Sequence, residues 1–130
     1  MANRIDASLV LRNGMRLQSP SSHIELSRDA SYSPDETLTV IQTTSTKVGD
    51  LPWPRLAFQV NLVATTTAPT ISAALDEADV IGDAVLALTQ VGDVRVSSVT
   101  CGMEPQETTP HNPSGAAMVT ARYSMIVRRA

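Results

Sequence analysis

The sequence predicts an α+β domain: a mainly antiparallel four-stranded sheet with one long amphipathic helix packed on one face, in the order β-β-α-β-β. Three patterns lead there. Residues 55–64 alternate strictly between apolar and polar, an Ala-rich amphipathic stretch covers residues 68–90, and two further β-rich segments follow at 93–103 and 117–129. A short N-terminal helix and an irregular arm complete the expected organisation. Residues 1–130 form a single domain, with the helix and arm at 1–36 and the sheet-and-helix core at 37–130.

Each element has a local reason. Residues 5–17 suit a short helix with Asp6 near its start, interrupted by Gly14 and closed before Ser19 and Pro20. Residues 19–36 are rich in Ser, Pro and Asp and read as an extended arm, with a brief strand-like stretch from His23 to Leu26. The run 37–46 is dense in Thr, Val and Ile, whose branched Cβ atoms suit a pleated surface. In the next strand Leu56, Phe58, Val60 and Leu62 share one face, and Arg55, Ala57, Gln59 and Asn61 the other. Pro69 fits the first turn of a helix. Ile71, Ala74, Leu75, Ala78, Ile81, Val85 and Leu88 then recur at helical spacing as one apolar stripe, and Gly92 is placed to end the helix and turn the chain. Opposite the stripe stand Ser72, Asp76, Asp79 and Asp83, an acidic face suited to solvent or to a basic partner. Beyond the strand at residue 93, a loop crowded with Glu104, Pro105, Glu107, Pro110, Asn112, Pro113 and Gly115 reads as a long hairpin tip. In the last strand Val119, Ala121, Tyr123, Met125 and Val127 share one face, with Thr120, Arg122, Ser124 and Arg128 on the other.

Composition narrows the function classes. Aromatic residues make up only 3% of the chain, so the core is built from aliphatic side chains and subunit contacts have room to add stability. A formal charge of −3 offers no global footprint for sequence-reading of DNA and no polybasic membrane anchor. One cysteine, Cys101, excludes an intrachain disulfide and paired-Cys metal frameworks, which fits a reducing cytoplasm. No segment approaches a signal-peptide core or a membrane span.

Chemical constellations are weak. Cys101, Glu104, Glu107 and His111 fall close in sequence but lack the ligand pairs of a metal site. Cys101 with His23 or His111 lacks the activating surroundings of a nucleophile and base. No Gly-rich phosphate loop follows a strand, and Pro113 bars glycosylation at Asn112. The expectation is therefore no catalytic residue, cofactor or metal. Trp53, held between Pro52 and Pro54, is either an aromatic anchor for a partner or a lid on the core. Asp76, Asp79 and Asp83 against Arg122, Arg128 and Arg129 offer a charge match between neighbouring subunits; the alternative is a solvated helix face and an ordinary basic tail.

The succession of the alternating strand, the acidic-faced helix from Thr70 to Ile81, the Val94–Val99 strand, the Pro-rich polar loop and the closing strand from Thr120 to Arg129 resembles the tail terminator proteins of long-tailed (siphophage-type) bacteriophages. The resemblance spans residues 37–129 and is one of layout, with no single diagnostic motif. It implies a non-enzymatic virion protein at the tail-neck junction, assembled in the host cytoplasm. As a hexameric ring it would cap the tail tube, stop its elongation and connect the tail to the head. Its implied partners are copies of itself, the tail tube protein and head-completion or neck proteins, with DNA passing through the channel without sequence-specific contacts and no membrane involved. Residues 19–34 depart from that layout and suit an arm reaching a neighbouring subunit. The alternatives are another head-tail joining or tail subunit, or a small cytoplasmic α+β enzyme or ligand-binding module.

Overall fold

A computed structural model describes residues 6–26, 37–48, 57–108 and 117–129. The elements are α1 (Ala7–Gln18), β1 (Ile24–Glu25), β2 (Leu38–Val48), β3 (Ala57–Ala68), α2 (Ile71–Leu86), β4 (Gln90–Val91), β5 (Val94–Thr108) and β6 (Ala117–Arg129). The fold is α+β, but the sheet differs from the four-stranded one expected. Among the described residues it has six strands in the order β1-β2-β3-β6-β5-β4 and is mixed, because β1 pairs parallel to β2. The two added strands are two residues long, and such short strands exist only because a long neighbour templates them.

The long strands follow their side-chain alternation. Opposed positions such as Leu62 and Tyr123, or Val60 and Met125, place the apolar faces of β3 and β6 on the same side, where α2 lies. There Leu11, Met15, Ile24, Ile41, Val60, Leu62, Ile81, Val85, Tyr123, Met125 and Val127 form one buried cluster. A smaller cluster of Ala68, Ala74, Ala78 and Val119 packs the N-terminal end of α2. Thr39 and Thr66 are also fully buried, and their hydroxyls bond one another at 2.8 Å, which satisfies two polar groups in an apolar setting.

Several boundaries shift for identifiable reasons. Helix α2 begins at Ile71, because the Thr70 side chain accepts the Ala73 N–H at 3.2 Å; Pro69 therefore precedes the cap instead of opening the helix. It ends at Leu86 with Ala87 as its C-cap, so Gly92 does not end the helix but does turn the chain. With φ +58 it turns β4 into β5 over two residues, where a left-handed first position is needed. Helix α1 is capped by Asp6 and runs unbroken through Gly14, whose missing side chain leaves room for Val91 and Leu88. Strand β5 continues to Thr108, through Glu104, Pro105 and Glu107, which the sequence reading assigned to a loop. It does so by bulging: the register with β6 shifts between Ser97 and Thr100, between Cys101 and Met103, and between Met103 and Gln106, and Ser98 has φ 54. Residues 109–116, the rest of that expected loop, lie outside the described residues.

The arm is partly ordered by charge. Glu25 of β1 pairs with Arg16 and, at 3.9 Å, with Arg12 one turn earlier on α1, while Arg16 Nε donates to the Ile24 carbonyl at 3.1 Å. The Ser22 hydroxyl donates to Glu77 of α2 at 2.9 Å. These contacts hold β1 against β2 near Thr39 and Val40.

Leu62 is fully buried whereas Phe58 is only partly buried. Leu62→Ala is therefore expected to lower the urea-derived stability by about 2–5 kcal/mol, and Phe58→Ala by less. Equal losses would put Phe58 at the centre of the core. A Cβ added at Gly82 would lie 2.6 Å from the Tyr123 hydroxyl oxygen, which must then move. Gly82→Ala should cost about 1–3 kcal/mol, and adding Tyr123→Phe should recover part of it in a double-mutant cycle.

Candidate interaction surfaces

The two faces of the sheet differ completely. Both helices lie on one side; the other is exposed over its middle, while Leu38 and Thr67 at one end of it are buried. That open face presents Gln42 and Thr44 of β2, Gln59 and Asn61 of β3, and Ser124 and Ile126 of β6, a mixed and mostly uncharged surface. Its charges are arginines. Arg122 and Arg128 of β6 are exposed there, and the register sets Arg95 of β5 directly opposite Arg128. At the registered positions of the four long strands this face carries no carboxylate, so the like-charged pair lacks a local counter-ion among the described residues. A depression of about 410 Å³, lined by Gln42, Thr44, Asn61, Val63 and Arg122, sits at its middle.

The expected interface residues do not form one patch. Asp76, Asp79 and Asp83 are exposed on the outer side of α2, with the sheet lying between them and Arg122 and Arg128. None of the acids falls in the first turn of the helix, where the macrodipole acts most strongly. Arg129 has the parity of Val127 and is half-buried, donating to Asp93 at 2.8 Å across the β5–β6 pair. Trp53 lies outside the described residues, as does His111. Among the described residues no three His, Cys, Asp or Glu side chains gather as a metal site would require.

Sequence reasoning missed Arg95. The alternation of Val94, Arg95, Val96 and Ser97 puts it on the polar face, but its place beside Arg128 depends on a strand register that no local pattern carries. It also missed a cleft of about 660 Å³ between the N-terminus of α1 and the ends of β2 and β3. Asp6, Ser8, Thr43, Ser45, Lys47 and Phe58 line it, and the Ser8 and Thr43 hydroxyls are bonded to each other at 2.6 Å.

Among the described residues Tyr123 is the one titratable group with a resolved perturbation. Burial against α2 pushes its phenol up to about 12, with Cys101, Asp79 and Asp83 adding smaller repulsions against the phenolate. This is a packed structural tyrosine and not an acid poised for chemistry near neutrality. Among the described residues no helix is long and apolar enough to cross a membrane. The sequence matches no protein-family model and no curated protein sequence.

The raised phenol fixes a pH dependence. An unfolded tyrosine ionises near 10, so between pH 10 and about 12 the unfolded chain releases a proton that the folded chain keeps. The contribution is intact below pH 10 and is lost as pH rises through the folded value, at no more than about 1.4 kcal/mol per unit. Tyr123→Phe should flatten this part of the stability profile in chemical denaturation at pH 9 to 12; an unaltered slope would remove Tyr123 as its source.

Proposed function

We propose that this chain is a structural, non-enzymatic virion subunit of the tail terminator kind, forming a ring that caps a tail tube, stops its growth and joins it to the head-neck. The observation that carries this reading is the state of the sheet edges. Among the described residues β1 pairs with β2 at Thr39 and Val40, and β4 pairs with β5 at Val94 and Arg95, with the Val96 N–H also donating to the Thr89 carbonyl at 2.8 Å. Among the described residues most of both outer strands has no partner. Long unpaired edges on opposite sides of a soluble protein call for protection, and two different edges on one subunit are what a closed head-to-tail assembly uses.

The arrangement of the surfaces supports the same reading. Four long strands flank one sheet-covering helix in the order that the resemblance implies. In a ring built by side-by-side sheets, the helix layer with Asp76, Asp79 and Asp83 faces one way and the arginine-bearing sheet face the other. Each surface is then free for a different partner: tube, neck or the contents of the channel. A direct contact between the acids and Arg122 or Arg128 would instead join copies front to back. Trp53, expected as a partner anchor or a lid on the core, and the part of the expected 19–34 arm beyond residue 26 lie outside the described residues.

The test is the absolute mass of the purified protein across a concentration series, with electron microscopy of the same sample, followed by addition to isolated tail tubes. Rings of hexameric mass that cap tube ends are expected. A persistent monomer that leaves tube growth unaffected would overturn the reading.

A further inference from the structure

We infer that the ring closes by edge-to-edge strand addition, the free edge of β5 in one copy pairing antiparallel with the free edge of β2 in the next. The inference rests on the ring reading but fails separately from it. Three features of the single chain converge on this joint.

The first is polarity. Strands β2 and β3, β3 and β6, and β6 and β5 are each antiparallel, so β5 runs opposite to β2. Rotation about an axis roughly along the strands preserves strand direction, so the neighbour's β2 meets β5 antiparallel. That is the ladder type already used between all the long strands.

The second is height. Tracing the register across the sheet sets Thr44, Asn61, Ser124 and Thr100 in one row, Thr43, Leu62, Tyr123 and Cys101 in the next, and Gln42, Val63, Arg122 and Met103 in the one below. The unpaired part of β5 therefore stands level with the unpaired part of β2. Strands β1 and β4 sit at opposite ends of these stretches and do not obstruct them.

The third is face. Thr43 and Cys101 share the helix-covered side, while Thr44, Thr100, Gln42 and Met103 share the open side, so pairing at equal height continues both faces without a break. Strand β2 is regular throughout its pairing with β3, which suits it to face the bulged β5 as β6 already does. A two-fold dimer through either edge would leave the other edge of each copy exposed. Only the β2-to-β5 joint uses both.

Cys101 is exposed on the β5 edge and supplies the probe. Directly opposed residues of an antiparallel pair have Cα atoms about 4.5–5.5 Å apart, within disulfide reach. Single substitutions Gln42→Cys, Thr43→Cys, Thr44→Cys and Ser45→Cys are oxidised mildly in the assembled full-length protein and run on a non-reducing gel, with unchanged far-UV dichroism as the folding control. The expected result is a ladder of covalent multimers at Thr43→Cys, or at Ser45→Cys on the same face, with little at Gln42→Cys and Thr44→Cys on the other face, and abolished by adding Cys101→Ser. An assembled protein that gives no ladder from any position overturns the joint while leaving the ring intact. Dimers linked only through Cys101 to Cys101 overturn it in favour of a β5-to-β5 contact. A chain that stays monomeric at every concentration and leaves tube growth unaffected overturns both the joint and the ring.

Discussion

The close approach of α2 to the sheet is the constraint on which the other features depend. Tyr123 rises from the middle of β6 and its hydroxyl ends where a side chain at position 82 would begin. Ala68, Ala74, Ala78 and Val119 repeat the tactic at the other end of the helix, small groups on both layers letting the backbones come together. A core with few aromatics gains most from such proximity, because dispersion between aliphatic groups weakens quickly with any gap. Once α2 is fixed across β3 and β6, the helix-covered side of the sheet is settled, and α1 and β4 fill the space beyond its C-terminal end. Gly14 of α1 meets Leu88 and Val91 there.

Covering one face leaves the subunit asymmetric in a useful way. The helix layer is acidic outside, and the bare sheet face is nearly uncharged except for arginines. Antiparallel sheets tolerate a solvated face, so this asymmetry does not by itself demand a partner. Edges are different. Two-residue strands at each border stop further pairing over only part of β2 and β5, and the ion pairs of Arg12 and Arg16 with Glu25 show that even this small cover is held in place by α1. The bulges of β5 keep its edge irregular, which discourages indiscriminate association while leaving short segments able to pair.

Legibility in the sequence followed the range of the interactions concerned. The inward sets of β3 and β6 were readable because alternation is a local property, and the α2 stripe because Ala74, Ala78, Ile81 and Val85 recur at helical spacing. Pro69, and Gly92 as a helix end, misled because a strong local preference was read at the wrong junction: Thr70 supplied the cap, and Gly92 does its expected turning in the tight β4–β5 connection. Strand β1 lies within the strand-like stretch from His23 to Leu26, but β4 and the continuation of β5 through Pro105 carry little signal of their own. Their backbone hydrogen bonds are made with partners distant in sequence or turned by a bulge. The surface residues behaved in the same way. That Asp76, Asp79 and Asp83 share a face, and that Arg122 and Arg128 share another, was legible; Arg95 beside Arg128 and Arg129 against Asp93 were not.

By itself, then, the sequence determined the α+β class, the inward faces of its central strands and helix, and the polar character of the surfaces, because these depend on periodicities within a dozen residues. Tertiary structure alone decided the six-strand order, the side of the sheet each charge occupies and the stretches of edge left unpaired. Those depend on which segments meet across the chain, and strand register is fixed only when a packed helix makes one pairing bury the core and every slipped pairing expose it.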